Sequence, residues 1–411
     1  MRISLYRIGV IAPLLLLQAI ANAQMPRPLS LAEALSLAQR HSPLSKAAAA
    51  KVEGASAAIQ GAKALPNPVF TFAQPFGRNT GGLDEAYLVA QTLELGDKRR
   101  HRQRITRADF EATKAEAVGT AIDLVFTVQS AYFDALRADS ERQLSAESLA
   151  KAQAFAKAAD AQFKAGDAAR SAVVRSQIEL NRAEQENTAA ETDSENSYAA
   201  LKSLLGIITD EKITLSEPLT YAPAVYALPA LLVQAKKSRP DLRAARKVRE
   251  SKEAELHGVR AQSQPDLLLE YRHSTVDPTT GGDSVRIGVT LPLFDFGKIR
   301  ADINGAKAAL KEQEANLQET ERAANLEVET AFRNWTQAKN AVNSFRTGRL
   351  TRSIELLDMA QIGYEKGANS YLELLDAQHI YRAEKRDYIR ALANYNLAKA
   401  SLQRAVGGDL P

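Results

Sequence analysis

Residues 298–364 contain no proline and are rich in alanine and charge, a span far longer than an ordinary globular helix. What precedes them has a different period. Val285, Ile287, Val289, Leu291 and Leu293 are apolar, while Ser284, Arg286, Gly288, Thr290 and Pro292 between them are small, polar or ring-closed. A period of two predicts a strand with one apolar face, feeding straight into a very long helix. The same join occurs earlier, where Tyr87, Val89, Leu93 and Leu95 alternate with Ala86, Ala90, Thr92 and Glu94 before Gly96-Asp97-Lys98 opens another long helix. Gly96 and Gly297, Phe163 and Tyr364, Gly166 and Gly367, Gln177 and Gln378, and Gly206 and Gly407 each stand 201 residues apart. The chain therefore reads as an internal duplication.

Composition agrees with long helices joined by thin seams: aromatics are 6% and charged residues 25%. The first residues, with Arg2 and Arg7, an apolar run over 8–20 and then Ala21-Asn22-Ala23, have the form of a secretory signal peptide cut after Ala23. Its removal takes two arginines from a formal net charge of +4. The nearly neutral remainder lacks the clustered cationic excess that nucleic acid binding needs. The absence of cysteine excludes disulfides, thiolate metal sites and a lipidated N-terminal Cys. After the signal no apolar run approaches the ~20 residues of a membrane helix, so any membrane insertion falls to strands.

The order of elements follows from local signals. Ser30, with Glu33 three residues on, caps a short helix, and His41-Ser42-Pro43 breaks it before a second helix over 44–64. A hairpin is expected at about 69–95, with Phe70 and Phe72 on one face and an exposed turn at 77–84. A long helix and a return helix from about 169 end at Gly206. The region 207–227, with Pro218 and Pro223, reads as a linker or small side feature. The plan then repeats over 228–407: two short helices, a hairpin at about 266–294, a long helix and a return helix, with 408–411 as a tail. The units expected are thus 24–206 and 228–407.

Each expected strand has one apolar side and each pair is joined by a polar, Gly-containing turn, as in a membrane β-barrel; an ordinary hairpin on a soluble domain has the same local pattern. Four strands cannot close a barrel, and the helical seams are mostly Ala with scattered Leu and Val. Several chains must pool their strands, giving an oligomeric tube, apolar at one end and helical along its length.

The doubled strand-hairpin-long-helix plan resembles the TolC family of outer-membrane efflux ducts. The residues that carry the likeness are Pro292-Leu-Phe-Asp-Phe-Gly297-Lys-Ile-Arg-Ala301 at one join, and Tyr364-Glu-Lys-Gly367 followed by Leu374-Leu-Asp-Ala-Gln378 at a helix turn. It covers the whole chain after the signal. The resemblance implies a mainly α chain with a transmembrane β part: a homotrimer whose twelve strands form one barrel in the outer membrane and whose helices form a periplasmic tunnel. The stretch Glu94-Leu-Gly96-Asp-Lys98-Arg-Arg100-His-Arg102 is similar to the join in the family's heavy-metal branch, which serves pumps of the resistance-nodulation-division type. Implied partners are a periplasmic adaptor, that inner-membrane pump and outer-membrane lipid, with no cofactor.

By the same resemblance, Glu373 and Asp376 match carboxylates that line the narrow periplasmic mouth. Spaced i and i+3 they share a helix face, and three copies would set six carboxylates around one axis. The alternative is that both are solvent-facing acids. The first half departs from the pattern, with Ala172 and Arg175 at the equivalent positions. Gly166, Asp167, Gly367, Ala368 and Asn369 mark the helix turns expected to dock an adaptor, and Gly96, Pro292 and Gly297 the strand-to-helix joins. His41, His101, His257, His273 and His379 are scattered, so no metal site is expected, and no phosphate loop, nucleophile elbow or zinc-helix motif suggests an enzyme. Trp335 and Phe332 read as packing residues. The leading expectation is an export duct for heavy-metal cations; export of drugs or of type I secreted proteins is the alternative within the class, and a soluble periplasmic coiled-coil scaffold the alternative outside it.

Overall fold

The computed structural model describes residues 27–73, 86–207, 211–274 and 282–410. The expected signal peptide and most of both hairpin turns lie outside them. A short strand β1 (Arg27–Leu29) leads to α1 (Leu31–His41), where the Ser30 side chain accepts from the Glu33 amide and the Glu33 carboxylate returns to the Ser30 amide, the reciprocal cap the sequence predicts. Ser42 caps α2 (Pro43–Lys63), with Pro43 in the first turn, where its missing N–H costs nothing. Then come β2 (Val69–Ala73), β3 (Ala86–Leu93) and α3 (Lys98–Ala165), whose 68 residues make a rod of about 100 Å. The return helix α4 (Arg170–Leu205) is followed by β4 (Ile213–Leu215), which pairs with β1 in parallel. The second half runs α5 (Leu228–Ser238), α6 (Pro240–Ala261), β5 (Asp266–Ser274), β6 (Asp283–Thr290), α7 (Lys298–Ser344), α8 (Leu350–Glu365) and α9 (Tyr371–Val406).

The two hairpins are not separate. They join through β3 and β5 into one antiparallel sheet of order β2-β3-β5-β6. Each strand continues a helix, so that α2, α3, α6 and α7 stand side by side beneath it; lower down, α4 and α9 flank α3, and α8 packs on α9. The wall is four columns wide. Two columns are built from stacked helices, and both junctions use a glycine in the left-handed region, which a residue with Cβ adopts only at a cost. Gly206 (φ 68°) ends α4 against His41, and Gly407 (φ 86°) ends α9 against Arg239, where a Cβ would lie 2.7 Å from the Arg239 Cα. Arg239 closes its junction by donating to the Ala405 carbonyl and pairing with Asp241 and Glu327.

Two clusters of buried side chains hold the wall at its middle. One centres on Leu29, Val128, Tyr132, Leu201 and Leu205, with the Tyr132 hydroxyl donating to the Leu29 carbonyl; burial pushes that phenol up to about 12. The other centres on Val328, Trp335, Phe345, Tyr395 and Leu402, with Phe332 packed against it, which bears out the packing role read for Trp335 and Phe332. Within the region read as a linker or small side feature, residues 219–226 strap the second cluster: Tyr395 donates to the Ala222 carbonyl, Asn396 to Thr220 and Lys339 to Ala224, while the Tyr221 and Tyr226 rings meet those of Tyr395 and Trp335 at a tilt.

The second long helix is not continuous. A π-helical turn at Phe345–Arg349, with Gly348 outside helical geometry, separates α7 from α8, whereas α3 runs unbroken. Glycine weakens a helix interior by about 1 kcal/mol relative to alanine, and Arg346 and Arg349 sit over the Tyr221 and Phe345 rings at the break. The final strand is also shorter than expected, ending at Thr290 rather than near 294.

Candidate functional site

The sheet sorts its side chains. Cross-strand partners Phe70–Val89, Val89–Tyr271 and Tyr271–Val285, with Phe72–Tyr87, Leu93–Leu267 and Leu269–Ile287, put one apolar row on a single face. The other face carries Thr92, Leu268, Glu270, Arg272 and Arg286 in register, with Glu270 opposite Arg286. The apolar face is bare in the single chain: Val285, Ile287 and Val289 are 60–73% exposed. Away from the helices it ends in a ring belt, with Phe72 and Tyr87 5.1 Å apart and Tyr271 and His273 both on the Asp283 carboxylate. No helix among the described residues is long and apolar enough to cross a membrane.

The joins share one device, two consecutive residues in the left-handed region: Gly96-Asp97 and Phe296-Gly297. At the first, a Cβ on Gly96 would lie 2.6 Å from Gln264; Lys98 reaches Asp266 at 2.8 Å, and Arg102 grips Glu94 with both nitrogens. At the second, Asp295 accepts from the Ile299 and Gly297 amides. Pro292 lies in the exposed segment after β6.

At the opposite end, Gly166 and Gly367 reverse the chain with φ 87° and 73°. The Asp167 amide returns to the Gln162 carbonyl, and those of Ala368 and Asn369 both return to Gly363. Gly363 leaves room for Asn369, which a Cβ there would strike at 2.5 Å. The two turns then differ. Ser370 and Glu373 form a capping box at the start of α9, whereas Ala169, at the N-cap of α4, supplies no side-chain cap. Tyr364 and Tyr371 lie 6.2 Å apart, and Tyr371 meets Phe155 of α3 at 5.8 Å. Helix α9 is tied across the wall by His379–Glu179, Arg386–Glu186, Lys385–Glu147 and Arg390–Glu141.

Glu373 and Asp376 are both exposed, beside the buried stripe of Leu374 and Ala377. Their states differ. The Glu373 carboxylate accepts from the Ser370 amide at 2.7 Å, so it caps its own helix, while Asp376 has no ion pair among the described residues. Arg170 and Arg175 at the other turn likewise form no ion pair among them. Of the scattered histidines, the structure brings two together, which sequence distance concealed: His101 on α3 and His257 on α6 stack with centroids 5.9 Å apart. Burial, then the Arg104 charge, push His101 below its ordinary value. Among the described residues no group of three or more His, Asp or Glu is placed to hold a metal.

Comparison with known proteins agrees with this geometry. A family described as outer membrane efflux protein matches residues 34–207 and again 231–408. The cobalt-zinc-cadmium resistance protein CzcC of Cupriavidus metallidurans is 26% identical over 367 residues, spanning 88% of this chain and 85% of that protein. Among solved structures, the outer membrane protein VceC of Vibrio cholerae matches with a TM-score of 0.76 at 19% identity, over 92% of this chain and 96% of its own. CusC, described as forming a transmembrane channel, matches with a TM-score of 0.76 at 20% identity over 92% of both chains.

Proposed function

Because this chain belongs to the outer membrane efflux protein family, we propose that it is the passive exit duct of a tripartite efflux system, a homotrimer in the outer membrane fed by a periplasmic adaptor and an inner-membrane pump. The observation that carries this reading is the bare apolar face of a sheet whose outer strands, β2 and β6, each leave one edge without a strand partner among the described residues. In lipid every backbone donor and acceptor needs a partner, so such a sheet is stable only when closed. Strand β2 leads away from the helices and β6 leads back to them, so β6 of one copy would meet β2 of the next antiparallel, and three copies would give an even, twelve-stranded cylinder. The glycine pairs 201 residues apart and the two successive family matches support an origin by duplication.

Within this reading the polar sheet face lines the duct, the turns at Gly166-Asp167 and Gly367-Ala368-Asn369 receive the adaptor, and Glu373 with Asp376 forms an acidic ring at the periplasmic mouth. Cargo selection belongs to the pump, and no step of catalysis is assigned to this chain. Heavy-metal cations are the cargo we favour, from the likeness to CzcC. The apolar sheet face argues against the scaffold alternative, since a water-soluble rod gains nothing from exposing it.

The cysteine-free background gives a direct test. Variants carrying Phe70→Cys with Ile287→Cys or Val289→Cys should form disulfides between copies on oxidation, giving a ladder that stops at three chains, in material that leaves the membrane only with detergent. A monomer that washes out with the periplasm overturns the proposal.

A further inference from the structure

The strand-to-helix joins sort charge by face. Glu94 and Asp266 continue the polar registers of β3 and β5, and Arg102 and Lys98 reach them from the first turns of α3. That side of α3 therefore turns toward the polar, inward face of the sheet. At about 100° per residue, Arg100, Arg104 and Arg107 lie on the opposite side of the helix, continuous with the apolar, outward face. The α3–α6 groove on this side is lined by Arg104, Arg107 and His257, and Arg260, three residues after His257, shares its side of α6. Arg300 stands in the first turn of α7. Arg100, Arg104, Arg107, Arg260 and Arg300 are all exposed, and none has a side-chain hydrogen bond or ion pair among the described residues. Of the acids of this groove, Glu253 stands level with Arg107, and Glu111 and Glu250 lie farther from the sheet.

Above the arginines the surface turns abruptly apolar. Leu293, Phe294 and Phe296 are 76%, 83% and 99% exposed. The one carboxylate among them, Asp295, is engaged by the Ile299 and Gly297 amides. An apolar lip over a row of unpaired guanidiniums matches the order of layers met on leaving a bilayer, hydrocarbon first and then phosphate.

We propose that this collar is a binding surface for anionic phospholipids of the periplasmic leaflet, with Arg100, Arg104, Arg260 and Arg300 on headgroup phosphates and Phe294 and Phe296 in the acyl boundary. The proposal rests on the membrane reading above, and goes beyond it by naming a lipid class and the residues that select it. Guanidinium suits phosphate through paired donors, and an anionic lipid adds net charge that a zwitterionic one lacks.

The test uses the full-length protein extracted in mild detergent and placed in nanodiscs of phosphatidylcholine with a minority of phosphatidylglycerol. Retained lipid is counted by native mass spectrometry. Wild type should retain phosphatidylglycerol over phosphatidylcholine, by roughly fivefold for each arginine engaged, and 0.5 M salt should erase the preference. The Arg100→Gln/Arg104→Gln/Arg300→Gln variant should lose most of it, and the corresponding Lys variant should keep most of it. Equal retention of both lipids by wild type, or an unchanged preference in the Gln variant, overturns the proposal. Displacement of the lipid by millimolar inorganic phosphate also overturns it, because the collar would then be a site for free anions. Should the Gln variant fail to fold, the salt response of wild type and the Lys variant decide. Failure of the membrane reading looks different: wild type would then need no detergent and enter no nanodisc.

Discussion

Glu373 carries two tasks that an alanine substitution would confound. Its carboxylate closes the capping box of α9, accepting from the Ser370 amide at 2.7 Å, and its charge contributes to the proposed acidic mouth. Glutamine separates them, since it closes a capping box equally well but carries no charge. Loss of the cap costs about 1 kcal/mol of local helix stability, or roughly a fivefold rise in amide exchange over the first turn of α9. The charge effect is larger. A divalent cation about 6 Å from one carboxylate gains roughly 1.4 kcal/mol in water before screening. Removing three of six carboxylates should therefore raise the half-blocking concentration of a divalent cation at least about tenfold, even with screening. Planar-bilayer conductance of the reconstituted protein reads the block, and hydrogen exchange reads the cap. Glu373→Gln should weaken block while leaving exchange near wild type; Glu373→Ala should change both; Asp376→Asn should weaken block alone. If Glu373→Gln blocks like wild type while Glu373→Ala frays the helix, Glu373 is a cap only and the ring loses half its members.

Other expectations rest on single contacts. Gly407→Ala should lower thermal stability by more than the ~1 kcal/mol of a left-handed alanine, because its Cβ meets the Arg239 backbone at 2.7 Å. Gly305→Ala, within α7 and with nothing inside 4 Å of the new methyl, should instead raise it by about 0.4–1 kcal/mol. Tyr132 has a raised folded-state pKa, so its contribution is complete below the unfolded value near 10 and is lost as pH climbs toward about 12. Alkaline melts should show this loss in wild type but not in Tyr132→Phe, which gives up about 1 kcal/mol at neutral pH with the hydrogen bond to Leu29.

Where a residue's neighbours in sequence set its structure, the chain was legible. The alternation around Val285 and Val89, the Ser30–Glu33 cap and the glycines at the helix ends all act within one turn or one strand. The pairing of β3 with β5 was not, because it joins residues about 180 apart through backbone bonds that leave no pattern in side chains. Three-residue strands such as β1 and β4 are too short to show a period. Ser370-x-x-Glu373 repeats the spacing of Ser30-x-x-Glu33, so the cap on α9 was as legible in the sequence as the cap on α1. The salt bridge Arg102–Glu94 crosses the join where strand becomes helix and Lys98–Asp266 links residues 168 apart, so neither helical nor strand spacing announced them.

The helical wall is open at the same two edges as the sheet. Strand β2 stands over α2 and β6 over α7, the outer columns, and in the lower half the outer columns are α4 and α8. Val174 and Ile178 are bare on α4, as are Ile354, Met359 and Ile362 on α8. An edge of one kind on the left and of another on the right is the signature of a head-to-tail interface, which makes a ring if the rotation closes and a filament if it does not. The sheet decides between them. In lipid all its backbone donors need partners, which an open filament of sheets would leave undone at both ends, so the proposed membrane duct requires the ring. A variant with charge on the α4 edge, Val174→Glu with Ile178→Glu, should therefore lower the temperature at which the oligomer falls apart while leaving the helicity of the chain intact. If the oligomer is unaffected, the helical edges do not meet, and the strands alone hold the copies together.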